Sequence, residues 1–226
     1  MIRRIASLLP TEVIQELRRL RFLFRAKRGN LHPNEPEANI LSSFVGPGDW
    51  VIDIGANVGQ YTLLLSGLVG HSGRVLAFEP ILNSASTLAS VAARCSQWQN
   101  ISVLNLAVSD KTGMLFFDVP VDGTGLQNYE RAQVKSCGAT AVLGISIDSL
   151  NLPHRISLVK IDAEGHENAI LAGMRRTIER DLPTLIVEDN GQPTPDFLID
   201  LGYLAERKYK SPNLLFASPG LPSLRG

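Results

Sequence analysis

The segment at residues 49–61 constrains the fold of this chain more than any other. Its pattern predicts a buried strand, Trp50–Ile54, then a turn containing Gly55 and Gly59, and then an apolar helix. Glycine at these two positions removes side chains where a ligand would lie against the backbone, and the start of the helix offers free N–H groups. A strand, a glycine turn and a helix in this order predict the first unit of a doubly wound α/β fold.

Two carboxylates flank this turn. Asp53 lies two residues before Gly55, and Glu79 ends a second predicted strand twenty residues after Gly59, directly before Pro80. In doubly wound folds an acid at that distance contacts the two hydroxyls of a ribose. The arrangement therefore predicts a cofactor that contains a nucleoside.

The turn lacks the features that a dinucleotide or a triphosphate requires. Asn57 and Gln60 stand where a G-x-G-x-x-G fingerprint has glycine, and the chain has no G-x-x-x-x-G-K-[ST] loop. Asp53 would repel phosphates but would suit a ligand that carries an ammonium and a sulfonium, as S-adenosylmethionine does. We predict that cofactor. The alternatives are an NAD(P)-dependent oxidoreductase, a nucleoside-binding module without catalysis, and a turn whose glycines serve packing alone.

Three blocks of sequence resemble the FkbM-type methyltransferases. The blocks are VIDIGANVGQYT at residues 51–62, GRVLAFEP at 73–80 and VKIDAEGHE at 159–167, and the similarity extends from Glu35 to Phe216. The resemblance implies a Rossmann-like class I methyltransferase that depends on S-adenosylmethionine. It also implies transfer of the methyl group to a hydroxyl oxygen of a small molecule, such as a sugar, a glycoconjugate or a secondary metabolite.

The body of the chain alternates predicted strands and helices, the pattern of a mostly parallel sheet. We expect a seven-stranded sheet that ends in an antiparallel closing hairpin. Two further strands, 114–119 and 140–147, have no helix between them. The predicted elements are strands at 50–54, 75–78, 101–106, 158–161, 184–187, 203–209 and 213–217, and helices at 59–69, 82–95, 166–180 and 195–201.

Residues 1–34 are predicted to form an N-terminal helical arm and linker, and residues 35–226 the methyltransferase domain. A helix is predicted at 10–28 because apolar residues recur there at helical spacing. These residues are Val13, Leu17, Leu20 and Phe24, and the basic residues among them are Arg18, Arg19, Arg21, Arg25, Lys27 and Arg28. Such a helix either docks on its own domain with a solvated charged face or lies on a membrane surface. The family resemblance implies an arm that covers the cofactor or substrate cleft.

Composition restricts the partners. The formal net charge is zero, so no global field attracts nucleic acid. Cys95 and Cys137 show no C-x-x-C or metal-type spacing, which fits a reducing cytosol. No apolar stretch reaches membrane-spanning length. We expect a cytoplasmic protein with a small hydroxylated acceptor, no nucleic-acid partner and no stable membrane insertion.

The predicted cofactor site follows from sheet geometry, because ligands of open α/β sheets bind at the carboxyl ends of the strands. Glu79 is predicted to hold the ribose hydroxyls, and Asp53 to hold the methionine end together with the turn backbone. The resemblance adds Ala107 and Val108 around the adenine. The full predicted set is Asp53, Gly55, Ala56, Asn57, Gly59, Tyr61, Glu79, Pro80, Ala107, Val108 and Asp162.

The reacting centre is predicted at residues 162–167. Methyl transfer from a sulfonium is an in-line displacement, so the protein must align the acceptor oxygen, the methyl carbon and the sulfur. A positioned base helps to remove the proton of an alcohol, and His166 is the first candidate because histidine titrates near neutrality. Asp162 and Glu164 complete the predicted catalytic set. Glu167 is predicted to stabilise the helix N-terminus by its charge.

Two features stay open in the sequence. Oxygen ligands of the kind that Mg²⁺ prefers occur at strand ends, but the family resemblance does not require a metal and none is predicted. These candidates are Asp162, Glu188, Asp189 and Asn190.

The acceptor pocket is expected from the N-terminal arm and the loop at 122–129, where Asn128, Tyr129 and nearby Arg131 could hydrogen-bond a sugar or a carboxylate. Lys160 lies in a predicted buried strand as either an edge lysine or a functional one, and the sequence does not choose between the two.

Overall fold

The computed structural model describes residues 11–94, 96–121, 127–206 and 211–219. Two β-sheets and six α-helices make up these ranges. The strands are β1 Trp50–Ile54, β2 Arg74–Phe78, β3 Ile101–Leu104, β4 Ala107–Val108, β5 Gly113–Asp118, β6 Gln133–Lys135, β7 Thr140–Ile145, β8 Ile156–Ile161, β9 Thr184–Glu188, β10 Ala205–Glu206 and β11 Asn213–Phe216. The α-helices are α1 Thr11–Lys27, α2 Gln60–Val69, α3 Leu82–Ala93, α4 Glu167–Gly173, α5 Arg175–Asp181 and α6 Asp196–Asp200. Short 3-10 helices include Pro36–Ser43 and Ile147–Leu150.

The larger sheet has seven strands in the order β10-β11-β9-β8-β1-β2-β3. Its five central strands are parallel, and β11 runs antiparallel to both β9 and β10. The predicted parallel sheet with a closing hairpin is therefore confirmed. Strand order reverses direction at β1, between β2 and β8, so the first strand and its glycine turn lie at the topological switch point.

The second sheet has four strands in the order β4-β7-β5-β6. The two predicted strands without a helix between them, 114–119 and 140–147, are β5 and β7 of this sheet and pair antiparallel. Strand three, predicted to reach residue 106, ends at Leu104, and Ala107–Val108 pairs with β7 instead. The strand Ala107–Val108 has only two residues, so it is too short to show a periodic pattern in the sequence.

Side chains along the central strands point alternately to the two faces of the larger sheet, and each face has its own hydrophobic core. Ile52, Phe78 and Val159 face the cluster that α4 and α5 cover, whereas Val51 and Leu158 face the cluster that α2 covers. Asp53 and Lys160 stand directly opposite each other on β1 and β8. By the same alternation they share the face of Val51 and Leu158, and both are buried. Two charged groups inside an apolar sheet face point to function, because burial of a charge is costly unless it is paired.

The predicted helix at 166–180 is two helices, α4 and α5, that meet at Met174. Gly173 approaches the loop after β4 so closely that a β-carbon there would lie 1.9 Å from the carbonyl oxygen of Ser109. The chain therefore turns at this contact, and sequence periodicity did not predict the break. Within the described ranges, no helix is both long and apolar enough to cross a bilayer.

The N-terminal helix α1 docks on the body. Phe22, Leu23 and Ala26 pack with Leu63 of α2 and Val91 of α3, as the docked alternative predicted. The positions whose spacing predicted the helix, Val13, Leu17, Leu20 and Phe24, are not the ones that pack, and each is between 42% and 54% exposed. The segment at residues 32–36, predicted as a linker, leads into the 3-10 helix Pro36–Ser43, which buries Glu37 and Leu41.

Candidate active site

A cavity of about 470 Å³ lies at the carboxyl ends of β1, β2 and β8. All thirteen residues predicted for the cofactor and the reaction line it, although they come from four separate stretches of the chain. They are Asp53, Gly55, Ala56, Asn57, Gly59, Tyr61, Glu79, Pro80, Ala107, Val108, Asp162, Glu164 and His166. The volume is in the range of small-molecule sites.

The glycine turn after β1 has a different physical cause from the predicted one. Gly55 has φ +76°, and a β-carbon there would lie 1.8 Å from the carbonyl oxygen of Asp162. Gly59 has φ +98°, and its β-carbon would lie 2.3 Å from a methyl of Leu88 on α3. The two glycines thus admit neighbouring protein groups at conformations that L-residues rarely adopt. The first of them brings the backbone of β1 against that of β8 at the cavity floor.

Glu79 binds the turn to the end of β2. One carboxylate oxygen accepts the amide N–H of Asn57 at 2.7 Å, and the other accepts that of Ile81 at 2.8 Å. Burial raises the pKa of this carboxyl to about 7. Each oxygen keeps a further lone pair, so Glu79 can also accept hydrogen bonds from two hydroxyls in the cavity.

Asp53 lies at the cavity floor beside the start of α2. Its Oδ2 accepts the hydroxyl of Thr62 at 2.5 Å. Burial raises the pKa of Asp53 to about 6, against the opposing effects of that hydrogen bond and of the Lys160 ammonium. The carboxylate is therefore ionised near neutral pH and attracts a cation.

Lys160 organises a buried polar network that sequence analysis missed. Its ammonium lies 3.2 Å from Oδ2 of Asp162 and 3.3 Å from Oδ1 of Asn213, and it stands 5.2 Å from the ring centroid of Tyr61. Asn213 donates its amide N–H to the buried carboxylate of Glu37, which also accepts the Tyr61 hydroxyl at 3.3 Å. Tyr61 and Lys160 line the cavity, and residues of the 3-10 helix after the arm and of β11 thus support that wall from behind.

The other oxygen of Glu37, Oε2, is buried and has no hydrogen-bond partner among the described residues. The sequence offered one signal for this residue, its place in the Glu35-Pro36-Glu37 run where the family similarity begins. A buried carboxylate oxygen without a donor is costly. Glu37 is not among the residues that line the cavity, so it acts on the site through Tyr61, which does line it.

His166 stands across the cavity, at the start of α4. Its Nε2 lies 2.9 Å from the hydroxyl oxygen of Ser109, and that hydroxyl donates to Oδ1 of Asp110 at 3.0 Å. With the Ser109 hydroxyl donating to Asp110, we assign the imidazole proton to Nε2, which leaves Nδ1 as the acceptor in this tautomer. Burial lowers the pKa of His166 from its ordinary value, which favours the neutral ring.

The turn between β8 and α4 is fixed by Glu167. The amide N–H groups of Ala163 and Gly165 both donate to its Oε1 at 3.1 Å. This geometry is consistent with the predicted role of Glu167 at the helix start, since an acid there satisfies free N–H groups. The turn presents Asp162 and Glu164 to the cavity, and Glu164 takes the left-handed conformation with φ 49°.

Three acids form a cluster at the ends of β8 and β9. Carboxylate oxygens of Asp162, Glu164 and Glu188 lie within 4.8 Å of one another. Burial, followed by the charge of Asp162, raises the pKa of Glu188 to about 7. Asp189 and Asn190, which sequence analysis also considered as metal ligands, make other contacts: Asp189 accepts the N–H of Gly191, and Asn190 donates to Glu188. The three acids could hold a divalent cation or a cationic group of a ligand.

The remaining walls come from the second sheet and from the arm. Tyr129 lines the cavity, and its hydroxyl oxygen accepts the side-chain N–H of Asn83 at 2.6 Å. Phe22 and Arg25 of α1 also line the cavity. Asn128 and Arg131 are not among the lining residues. Positions 122–126 of the predicted acceptor loop lie outside the described residues.

Comparison with known proteins identifies the family. The crystal structure of a methyltransferase FkbM from Methylobacillus flagellatus KT superposes with a TM-score of 0.55 at 20% identity, covering 75% of this chain and 43% of that one. The present chain thus spans less than half of that protein. A cofactor-bound protein from MTB superposes with a TM-score of 0.51 at 15% identity, covering 90% of this chain and 89% of that one. At these identities the likeness shows the fold, which confirms the predicted class I architecture.

The sequence itself gives the more specific result. A model of the "Methyltransferase FkbM domain" matches residues 53–211, from the acid at the end of β1 to the loop before β11. The match includes two of the three blocks quoted above completely and most of the first. Together with the fold, it confirms the predicted family and, with it, the predicted cofactor, S-adenosylmethionine: this chain belongs to the FkbM methyltransferase family.

Proposed function

We propose that this protein transfers a methyl group from S-adenosylmethionine to a hydroxyl oxygen of a small molecule, a sugar, a glycoconjugate or a secondary metabolite. The observation that carries the proposal is the arrangement of the cavity. Buried carboxylates stand at the ends of β1 and β2, where a cationic nucleoside would lie, and a neutral histidine faces the same space from the start of α4.

The residues at the switch point fit the cofactor. The positive sulfonium and ammonium groups suit a floor that carries Asp53 and Asp162, and the two ribose hydroxyls suit the free lone pairs of Glu79. We assign the adenine to the apolar surface of Pro80, Ala107 and Val108. The backbone from Gly55 to Gly59, with Tyr61 on the adjoining helix turn, would enclose the methionine end.

We assign the role of general base to His166. Its protonated Nε2 is directed to Ser109, so Nδ1 is the nitrogen able to accept the proton of an acceptor hydroxyl. Ser109 and Asp110 are positioning residues in this scheme, because they fix the tautomer and do not touch the acceptor. Asp162 and Glu164 would orient the acceptor by hydrogen bonds from its hydroxyls.

Held by these residues, S-adenosylmethionine would supply an electrophilic methyl carbon. Nδ1 of His166 would accept the proton of the acceptor hydroxyl as the acceptor oxygen bonds to that carbon and the bond from carbon to sulfur breaks. The products are a methyl ether and S-adenosylhomocysteine. The residues that line the cavity would hold the two reactants in line, and such alignment contributes to the rate of a displacement.

The first test is titration calorimetry with S-adenosylmethionine, S-adenosylhomocysteine and NAD. We expect the first two to bind and NAD not to bind. The second test is a screen of hydroxylated acceptors by release of S-adenosylhomocysteine. With an active acceptor, His166→Ala should lower kcat by about 10²- to 10⁴-fold and leave the cofactor Kd unchanged.

His71→Ala is the matched control, because this histidine is exposed in the turn after α2. Ser109→Ala should lower kcat by a smaller factor, about tenfold, and change the pH profile of the reaction, because the imidazole tautomer is no longer fixed. Binding of NAD with hydride exchange would assign the chain to the oxidoreductases. Binding of S-adenosylmethionine without turnover on any acceptor would leave a nucleoside-binding module.

A further inference from the structure

The helix α1 has two apolar faces, and among the residues that the structure describes only one of them packs against the body. Ile14, Phe22, Leu23 and Ala26 are buried or half-buried against the body. The outward stripe, which consists of Val13, Leu17, Leu20 and Phe24, is 42%, 53%, 48% and 54% exposed respectively. At about 100° per residue these four side chains fall within an arc of roughly 60°, and Phe22 points to the opposite side.

Four large apolar side chains in line on one exposed helix face are uncommon on a free surface. From Val13 to Phe24 the stripe extends over eleven residue steps, about 16 Å along the helix axis at about 1.5 Å per residue. None of the described elements covers it. The spacing of four, three and four residues shows that these side chains form one continuous stripe and are not scattered over the helix surface.

Positive charge borders the stripe. Arg21, Lys27 and Arg28 are exposed, and the guanidinium of Arg28 stands 4.0 Å from the ring centroid of Phe24. The helix carries five basic residues and two acidic residues, although the whole chain has a formal net charge of zero. The positive charge is therefore concentrated on α1, the helix that carries the outward stripe.

Charge selects the occupant of this face. A second copy of α1 would bring two positively charged helices together, which is unfavourable. A nucleic acid would pair with the arginines but would leave the apolar side chains of the outward stripe in water. An anionic lipid surface accepts both features, because the apolar side chains enter the acyl boundary while the cations meet the headgroups.

We propose that the outward stripe of α1 docks this protein on anionic lipid membranes, as a surface attachment without a spanning helix. Phe22 and Arg25 of the same helix line the rim of the cavity. Docking would therefore hold this side of the cavity about one helix diameter from the lipid surface. This attachment depends on the stripe and its cations and does not depend on the reaction proposed above.

The test is sedimentation of the full chain with vesicles of phosphatidylcholine alone and with vesicles that contain about one-third phosphatidylglycerol. We expect at least about tenfold stronger partitioning to the anionic vesicles, weakened by high salt because the Debye length shortens. The double variant Leu17→Glu/Phe24→Glu should lose at least about tenfold in partitioning. Circular dichroism and cofactor titration should be unchanged, since both side chains are half-exposed.

The matched control is Ile199→Glu/Leu204→Glu, which adds the same charge at positions 58% and 67% exposed on the far end of the chain. It should bind vesicles as the unmodified protein does. Equal losses in both double variants, or no sedimentation with anionic vesicles, would refute the proposal. A dimer by light scattering that Leu17→Glu/Phe24→Glu converts to a monomer would also refute it, and would assign the stripe to a second copy of this chain.

Discussion

Replacement of Asp53 by asparagine should separate the stability of this protein from its ability to bind the cofactor. Burial raises the pKa of Asp53 from its ordinary value of 3.8 to about 6. At about 1.4 kcal/mol per pH unit, the ionised carboxylate therefore costs the folded state about 3 kcal/mol at pH 8. Asparagine removes the charge and still accepts the hydroxyl of Thr62.

We expect Asp53→Asn to stabilise the cofactor-free protein by about 1–2 kcal/mol, less than the full cost because the amide offers one acceptor oxygen instead of two. For a chain of this size the melting temperature should rise by about 3–6 °C. Affinity for S-adenosylmethionine should fall by about 10- to 100-fold, because a charge-assisted contact to the cation is lost.

The pH dependence gives a sharper test of the same reasoning. Since the pKa of Asp53 is higher in the folded than in the unfolded protein, its contribution to stability is fully present below 3.8 and is lost as the pH rises through about 6. The advantage of Asp53→Asn should therefore be largest near pH 8 and shrink toward about pH 5. Differential scanning fluorimetry across this range measures it.

Asp181→Asn is the control of opposite sign. Asp181 is also buried, but the guanidinium of Arg180 and the N–H of Ile156 bind its carboxylate. These contacts outweigh burial and hold its pKa below the ordinary value. Asparagine should destabilise the protein here. A loss of stability for Asp53→Asn at pH 8, comparable with that of Asp181→Asn, would refute our view that Thr62 and Lys160 compensate the buried charge of Asp53 only in part.

Three further predictions follow from single contacts. Affinity for S-adenosylmethionine should decrease below pH 7, by up to about tenfold per pH unit, because Glu79 has a pKa of about 7 and accepts hydrogen bonds best when ionised. In calorimetry, Glu79→Gln should bind the cofactor more weakly, and its affinity should depend less on pH. Gly173→Ala should destabilise the protein by more than about 2 kcal/mol in denaturant melts through its clash with Ser109, whereas Gly67→Ala, with open space around it, should be neutral or stabilising. Tyr203→Phe should cost about 1–3 kcal/mol, since the buried carbonyl that accepts its hydroxyl at 2.6 Å would lose its donor.

Several features of the site were predictable because they depend on local sequence and on one general rule. The strand Trp50–Ile54, the turn after it and the acid at position 79 are each encoded within a few residues. Parallel strands place their carboxyl ends at the same edge, so residues that follow different strands meet there. For this reason thirteen predicted residues line one cavity.

The contacts that tune the site could not be predicted in the same way. Glu37 and Asn213 are 176 positions apart and meet through a short 3-10 helix and the last strand. Ser109 reaches His166 across 57 positions because Gly173 lets the loop after β4 approach α4. Such pairs depend on how the helices and strands pack. The sequence around a polar residue in a loop does not indicate which distant residue it will contact.

The sequence by itself determined the alternation of strands and helices, the switch-point turn and the positions of the acids, because backbone preference and periodic burial act over short segments. Only the tertiary structure decided which face of α1 packs, where Ala107–Val108 pairs, and that Lys160 is neutralised by Asp162 within a buried network. These outcomes depend on competition between whole surfaces for burial, and the residues that compete come from opposite ends of the chain.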